Sequence, residues 1–406
     1  MPKDYTYASI IPLIGGETIA MQNAFGKKPE YILSYSGFKA NDSQLLNYYN
    51  NTVPYYLLDE DNSNKNMNYI THVDVVNSVC PCAGLSMLNT SASADNAAND
   101  WMLESSKHVL KELRPKVLWG ENAPGLYGNM GKPVVEKLRR IGEEFGYTFS
   151  VYKTKSTLHG LGQVRNRSFY FFWNDKHCPQ LPYFSREKEP IEECIRNAFV
   201  SDDDPMNEVV NKSKPSEDPW YRYVLEEMEG GITHQEFYKK LKKSTNPINW
   251  VEDNRGVNGF KHASEWFAEK GLEKPAASAM RMYHKLKGGG NIMRRCVELG
   301  KGHTSAFVGH FAKQLAHPDE DRYITIREAL SIMKMPSDFE LQGGLKNLNM
   351  ICQNVPVTTA TDMAQSVKDY LDGKLDVIHS EFVRQNNLNR SREFAEATAS
   401  LDDFIN

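Results

Sequence analysis

Cysteine is scarce in this 406-residue chain: six thiols stand at positions 80, 82, 178, 194, 296 and 352. They are too few and too scattered for a disulfide framework, so free thiols in a reducing, intracellular and cytoplasmic setting are expected. An excess of charge of one sign is also missing. The formal net charge is −4, which makes no global case for nucleic acid, so any such case must rest on local patches. Long apolar runs are absent too. No window approaches the ~20 uninterrupted apolar residues that a membrane helix needs. The opening Met1-Pro-Lys-Asp-Tyr-Thr-Tyr7 lacks the charged start and apolar run of a signal peptide. There is no internal repeat and no low-complexity tract. What remains is ordinary for a globular protein, with 40% hydrophobic and 25% charged residues. A chain of this length can bury one large core or two moderate ones, so two domains are expected.

The first 175 residues alternate short apolar runs with helical patterns. Tyr7–Ile14, Glu30–Ser36, Val73–Val79, Val117–Gly120, Phe149–Lys153 and Ser168–Trp173 read as strands. Glu17–Phe25, Asp42–Asn51, Asp100–Leu113 and Lys132–Phe145 read as helices. Such alternation predicts a doubly wound α/β sheet with a mainly parallel core, whose site lies at the carboxyl ends of its strands. Residues 176–318, rich in Lys, Asn, Pro and Gly, read as a smaller irregular domain. Residues 319–375 return to helical patterns at Ile326–Met333 and Ala360–Leu371, and 376–406 read as a polar, peripheral tail.

Cys82 follows a predicted strand on a Pro-Cys-Ala-Gly turn of small residues, which leaves room for a substrate to approach its sulfur. An isolated cysteine more often packs as a small hydrophobe. A metal site built from Cys80, Cys82 and His72, or from His177-Cys178, lacks a second well-spaced pair, so no metal is expected. Other segments change the weighing. Glu121-Asn122 falls at a strand end, Gln163-Val-Arg165-Asn-Arg167 precedes a strand, and Arg322, Thr325, Arg327 and Glu328 form an Arg-x-x-Thr-x-Arg-Glu run.

Together, in this order, these segments resemble the DNA cytosine-5 methyltransferase family over residues 1–172 and 315–370. Pro81-Cys82 resembles its nucleophile motif, Glu121-Asn122 its Glu-Asn-Val motif and 163–167 its Gln-x-Arg-x-Arg motif. The resemblance implies a Rossmann-like sheet that binds S-adenosylmethionine, with residues 176–318 as the DNA-recognition part. It implies methyl transfer to carbon 5 of a cytosine flipped out of double-stranded DNA, through a covalent bond from Cys82 to carbon 6. In that scheme Glu121 protonates ring nitrogen 3, and Arg165 lowers the thiol's pKa and meets the base's carbonyl oxygen. Asn122 orients the Pro-Cys loop, and Gln163 and Arg167 brace the site. Without the resemblance, the two arginines would read as an exposed strand edge paired with surface acids.

The donor side departs from the family pattern. Where the family reads Asp-x-Phe-x-Gly-x-Gly-Gly, this chain has Ser9-Ile-Ile-Pro-Leu-Ile-Gly-Gly16. Only Gly15 and Gly16 remain to let backbone approach the donor. Asp59 matches the acid that meets the adenine, no acid near Ser36–Lys39 matches the ribose ligand, and Gln353-Asn354 stand in the last motif. Pro81 completes the expected cofactor set. Three outcomes follow: S-adenosylmethionine bound in a divergent way, a modified donor, or a non-catalytic nucleic-acid-binding frame. An RNA cytosine-5 methyltransferase is a further alternative. For DNA, Ser86 and the basic, Tyr- and His-interleaved stretch containing Arg281, Lys285, Lys287, Arg294 and Arg295 are expected to make contact. Lys239–Lys243 fits a solvated helix face as well as a phosphate contact. A monomer is expected.

Overall fold

The computed structural model describes residues 4–60, 72–86, 89–309, 311–388 and 395–396. The first half alternates strand and helix: β1 (Tyr7–Ile10), α1 (Gly16–Phe25), β2 (Ile32–Ser34), α2 (Lys39–Tyr48), β3 (Tyr55–Leu57) and β4 (Val75–Val79). There follow α3 (Asp100–His108), β5 (Val117–Asn122), α4 (Lys132–Phe145), β6 (Thr148–Lys155), β7 (Gln163–Val164) and β8 (Asn166–Trp173). The helix expected over Asp100–Leu113 is α-helical to His108 and closes in a wider π turn over Val109–Leu113. The chain leaves that turn through Arg114 in the left-handed region, at φ 47°.

The later elements are β9 (Cys178–Pro179), α5 (Ile191–Arg196), α6 (Pro219–Tyr223), α7 (His234–Lys240), α8 (Pro247–Arg255), α9 (Asn258–Glu269) and α10 (Glu273–Lys287). Beyond them lie β10 (Thr304–Ser305), α11 (Ile326–Ile332), α12 (Leu348–Ile351), α13 (Val357–Leu371), β11 (Val377–Ile378), β12 (Phe382–Asn386) and β13 (Ala395–Glu396).

Nine strands form one sheet in the order β13-β12-β6-β8-β5-β4-β1-β2-β3. Neighbours run parallel except at β8, which is antiparallel to both β5 and β6, and at β13, antiparallel to β12. Alternation along β8 sends Phe169, Phe171 and Trp173 into the core on one face and Tyr170 and Phe172 into the core on the other. Because both faces are covered, β8 reads as a continuous apolar run rather than an amphipathic one. Helices α3 and α4 cover one face through Met102, Val134, Val135 and Leu138. The other face packs on α1 and α13 through Ile19, Met21, Ala360 and Met363.

Two expectations are corrected. The stretch read as irregular carries six helices among the described residues, from α5 to α10. An aromatic cluster of Trp220, Tyr223, Phe260, Trp266 and Phe267 holds α6 and α9 together. Its Lys, Pro and Gly lie in caps and exposed faces, and these hid the helical period. The tail is not wholly peripheral either. β12 pairs in parallel with β6, burying Phe382 against Phe149 and Val383 in the opposite core. Most of 389–406 lies outside the described residues.

The Arg-x-x-Thr-x-Arg-Glu run clasps the middle of the chain to the sheet. Thr325 and Glu328 form a reciprocal cap on α11. Arg322 grips Glu328, and the buried Arg327 reaches Asp204 at 2.5 and 3.0 Å and the carbonyl of Phe339.

Candidate active site

Parallel pairing of β4 with β5 sets Val79 opposite Glu121, so the Cys80–Cys82 loop and the Glu121-Asn122 pair leave adjacent strands at the same edge. β8 runs the other way, and Ser168 pairs with Asn122, which brings Arg167 to that edge from its own N-terminal side. The three segments meet at a cavity of about 780 Å³, within the range of small-ligand sites. Cys82, Ser86, Pro124 and Arg167 line one part of it, and Leu13, Phe38, Asn41 and Gln353 another. Of the six thiols five are buried, and Cys82 alone is partly exposed. The packed-thiol alternative therefore describes the other five. The loop is shaped by Gly84, where a β-carbon would stand 2.3 Å from Asn99 Oδ1. Asn89 Nδ2 donates to the carbonyl of Ala83 at 2.9 Å and ties the loop's far end. Among the described residues, no three His, Cys, Asp or Glu side chains gather as a metal site.

The two arginines occupy unlike places. Arg167 forms an ion pair with Glu121 and lines the cavity. Arg165 is fully buried and donates to the carbonyls of Phe307 at 2.6 Å and Cys352 at 2.8 Å. The sequence reading sets Arg165 at the base and Arg167 behind it; here Arg167 lines the cavity and Arg165 does not. Gln163 is buried with Nε2 3.4 Å from the sulfur of Met333, and Asn122 accepts from the Ala123 N–H at 2.8 Å, which fixes the turn after β5.

Burial pushes the Glu121 carboxyl above its ordinary value, against the pull of Arg167 and then Arg165. Burial also raises the Cys82 thiol, with Arg167 as the chief opposing charge, Glu121 adding to the rise and Arg165 weaker. Desolvation thus works against the lowering by nearby arginine that the sequence reading expects.

On the donor side, Pro81 and Gln353 line the cavity. Gly15 and Gly16 lie beneath it: Gly15 has φ 97°, and the N–H of Gly16 donates to Asn354 Oδ1 at 3.2 Å. A β-carbon on Gly16 would stand 1.8 Å from Asn354 Nδ2, so the close approach of these two motifs requires glycine there. Asp59 accepts from the N–H and hydroxyl of Ser36, closing the turn after β2. Leu13, where the family pattern has its first glycine, keeps a left-handed backbone at φ 51°, as does Ile11 at φ 52°. The loop thus retains a conformation costly for branched side chains and adds a leucine to the cavity wall. Asn41 Nδ2 donates to Gln353 Oε1 at 3.0 Å across this end. Apolar faces from Leu13 and Phe38 suit the flat adenine ring and the two amides suit ribose hydroxyls, so this lining fits an adenosyl donor.

The basic stretch lies apart from the cavity wall. Arg281, Lys285 and Lys287 are exposed on the outer turns of α10, and Arg295 is exposed beyond it. Arg294 is held by Glu252 at 2.6 Å. The β10 strand pairs with β7 and carries Ala306, Val308 and Gly309 onto the cavity wall. Sequence reasoning missed these residues, as well as Phe38, Asn41 and the buried Glu17. Strand pairing of β10 with β7 brings in the 306–309 segment, while Phe38, Asn41 and Glu17 lie on or beside helices where no sequence signal marked them.

A mostly parallel, Rossmann-like sheet with its reactive side chains gathered at the carboxyl edge is the frame of the S-adenosylmethionine-dependent methyltransferases, and this chain has that frame. The C-5 cytosine-specific DNA methylase family matches residues 5–369, and the chain belongs to it as a DNA cytosine-5 methyltransferase. The chain is 23% identical over 336 residues to the type II methyltransferase M.Bpa9945I of Bacillus paralicheniformis, covering 75% of this chain and 72% of that one. It is 22% identical over 298 residues to the type II methyltransferase M.NmeDI of Neisseria meningitidis serogroup C, covering 72% of this chain and 63% of that one. An E. coli prophage protein described as a DNA modification methyltransferase shares the fold at a TM-score of 0.57, with 14% identity over 91% of this chain and 99% of that one. No helix among the described residues is long and apolar enough to cross a membrane.

Proposed function

We propose that this chain methylates carbon 5 of a cytosine turned out of double-stranded DNA, with Cys82 as the covalent nucleophile. The carrying observation is that one cavity holds the partly exposed Cys82 thiol and the Arg167 guanidinium, itself paired with Glu121. A cytosine inside a duplex cannot present its ring face to a thiol, so the base must leave the stack. Cys82 adds to carbon 6, and the acid of Glu121 gives its proton to nitrogen 3 as negative charge enters the ring. Arg167, not Arg165, is our choice for the base's carbonyl oxygen, because Arg165 is engaged with two backbone carbonyls. Carbon 5, now electron-rich, takes the methyl group, loses its proton, and Cys82 is expelled. S-adenosylmethionine, when bound, supplies an electrophilic methyl on a sulfonium. Leu13, Phe38, Asn41, Pro81 and Gln353 would hold it, with Gly15, Gly16, Asn354 and Asp59 shaping the loops beneath. Residues 176–318 are assigned to sequence recognition, with Ser86, Arg281, Lys285, Lys287 and Arg295 toward the duplex.

A duplex carrying 5-fluorocytosine tests this reading, since carbon 5 then has no proton to lose. Incubation with donor should trap a denaturant-stable protein–DNA adduct, and Cys82→Ser should abolish it. Absence of adduct across many sequences would sink the proposal. The departure of the donor loop from the family pattern, with Leu13 in the cavity wall, motivates a second reading, transfer of a modified group. Nucleoside mass spectrometry of DNA modified in cells lacking other cytosine methylation would read the mass of the added group.

A further inference from the structure

Glu17 has no part in the chemistry above. It lies in the first turn of α1 and is completely buried, and among the described residues no other residue donates a hydrogen bond to its carboxyl oxygens. Leaving so polar a group unsatisfied is costly, and such costs concentrate at functional sites. Its surroundings are those of the active site. The preceding Gly16 donates its N–H to Asn354, and two residues before Asn354 the carbonyl of Cys352 accepts from Arg165. The 352–354 segment therefore links the start of α1 to the buried guanidinium.

The charged groups that face Glu17 are Glu121 at the end of β5 and Arg165 and Arg167 at the start of β8. From α13, packed across α1, the acid Asp362 is engaged with His159 and Arg186, and Lys368 with the carbonyl of Ala24. The groups that surround Glu17 also act on the Cys82 thiol. Two carboxyls and two guanidiniums thus share one buried region with the nucleophile at its edge.

We propose that Glu17 is a positioning residue of the methyl-transfer site: by holding or releasing its proton it sets the net charge of the Glu121–Arg165–Arg167 cluster, and through it the ionisation of Cys82. The proposal rests on the reading of Cys82 as the nucleophile. Burial, and after it the Glu121 carboxylate, push the Glu17 carboxyl up to about 8. Below that pH Glu17 is neutral, and two guanidiniums face a single acid. Above it the cluster gains a negative charge, which opposes a thiolate at Cys82.

Alkylation by iodoacetamide, located by peptide mass spectrometry, reads the ionisation of Cys82 without any methyl transfer, since the other thiols are buried. In the wild-type protein the rate of Cys82 alkylation should rise more shallowly above about pH 8 than a single ionisation allows. Glu17→Gln keeps the shape and removes the titration. It should restore a single-ionisation curve and raise the rate above pH 8 by about threefold, the scale of removing one screened charge from the region. Glu17→Leu should do the same and covers the case in which the glutamine variant folds poorly. Wild-type and variant curves that superimpose would overturn the proposal. A wild-type protein that alkylates as described yet forms no adduct with 5-fluorocytosine DNA would instead overturn the nucleophile reading, so the two failures are separable.

Discussion

Arg165 spends its donors on the carbonyls of Phe307 and Cys352, whereas Arg167, two residues on, pairs with Glu121 at the cavity wall. The two positions should therefore fail differently. Arg165→Met leaves two buried carbonyls without their charged donor, and the loss should be about 3 kcal/mol of stability, seen as a lower urea midpoint. Arg167→Met leaves a buried acid that can neutralise itself by taking a proton, so its stability cost should be smaller. Turnover on duplex DNA should instead fall about 10²–10³-fold, the scale of losing one preorganised charge at the reacting ring. Single-turnover methylation beside urea unfolding checks both. Equal stability costs and equal turnover losses would contradict the division of labour drawn here.

At the scale of elements, Cys82, Glu121 and Arg167 come together because two parallel neighbours, β4 and β5, and the reversed β8 deliver their ends to one edge. The sheet must be braced beyond β6 for β8 to keep its place, and β12 supplies that brace. Phe382 stacks on Phe149 at a ring-centroid distance of 5.9 Å, and Phe149 lies 4.8 Å from Phe172 on β8. Phe382→Ala should cost about 3 kcal/mol as a cavity beside this stack. Thermal unfolding would measure the loss, and a change below about 1 kcal/mol would mean that β12 is dispensable. The clasp between Arg327 and Asp204 fastens α11 to the segment between α5 and α6.

Over the whole molecule, charge is close to balanced, so duplex affinity must come from a local face. α10 offers one, with Arg281 and Lys285 a turn apart and Lys287 at its end, all exposed, while Arg294 is neutralised by Glu252. Replacing Arg281 and Lys285 by Glu should weaken duplex binding and make the plot of log affinity against log salt shallower by about 2. Fluorescence anisotropy over a salt series checks this, and an unchanged slope would remove α10 from the interface. Glu252→Ala should leave the slope unchanged or steepen it, since it frees Arg294.

Sequence alone was sufficient for the fold class, for most strands of the first half and, through the motif resemblance, for the family. Strands and helices of the first half show in local periodicity, and a thiol, an acid and an Arg-x-Arg pair at strand ends are demanded by covalent chemistry on a pyrimidine. Those are local facts. It could not reveal the middle helices, whose apolar period is interrupted by caps and exposed lysines, nor β12, whose partner lies more than two hundred residues away. Nor could it say which arginine meets the cavity, that burial raises the Cys82 thiol, or that Glu17 is wholly buried. Those were decided by tertiary structure, because burial and charge proximity depend on which strands lie side by side, and that is set by pairing across the whole chain.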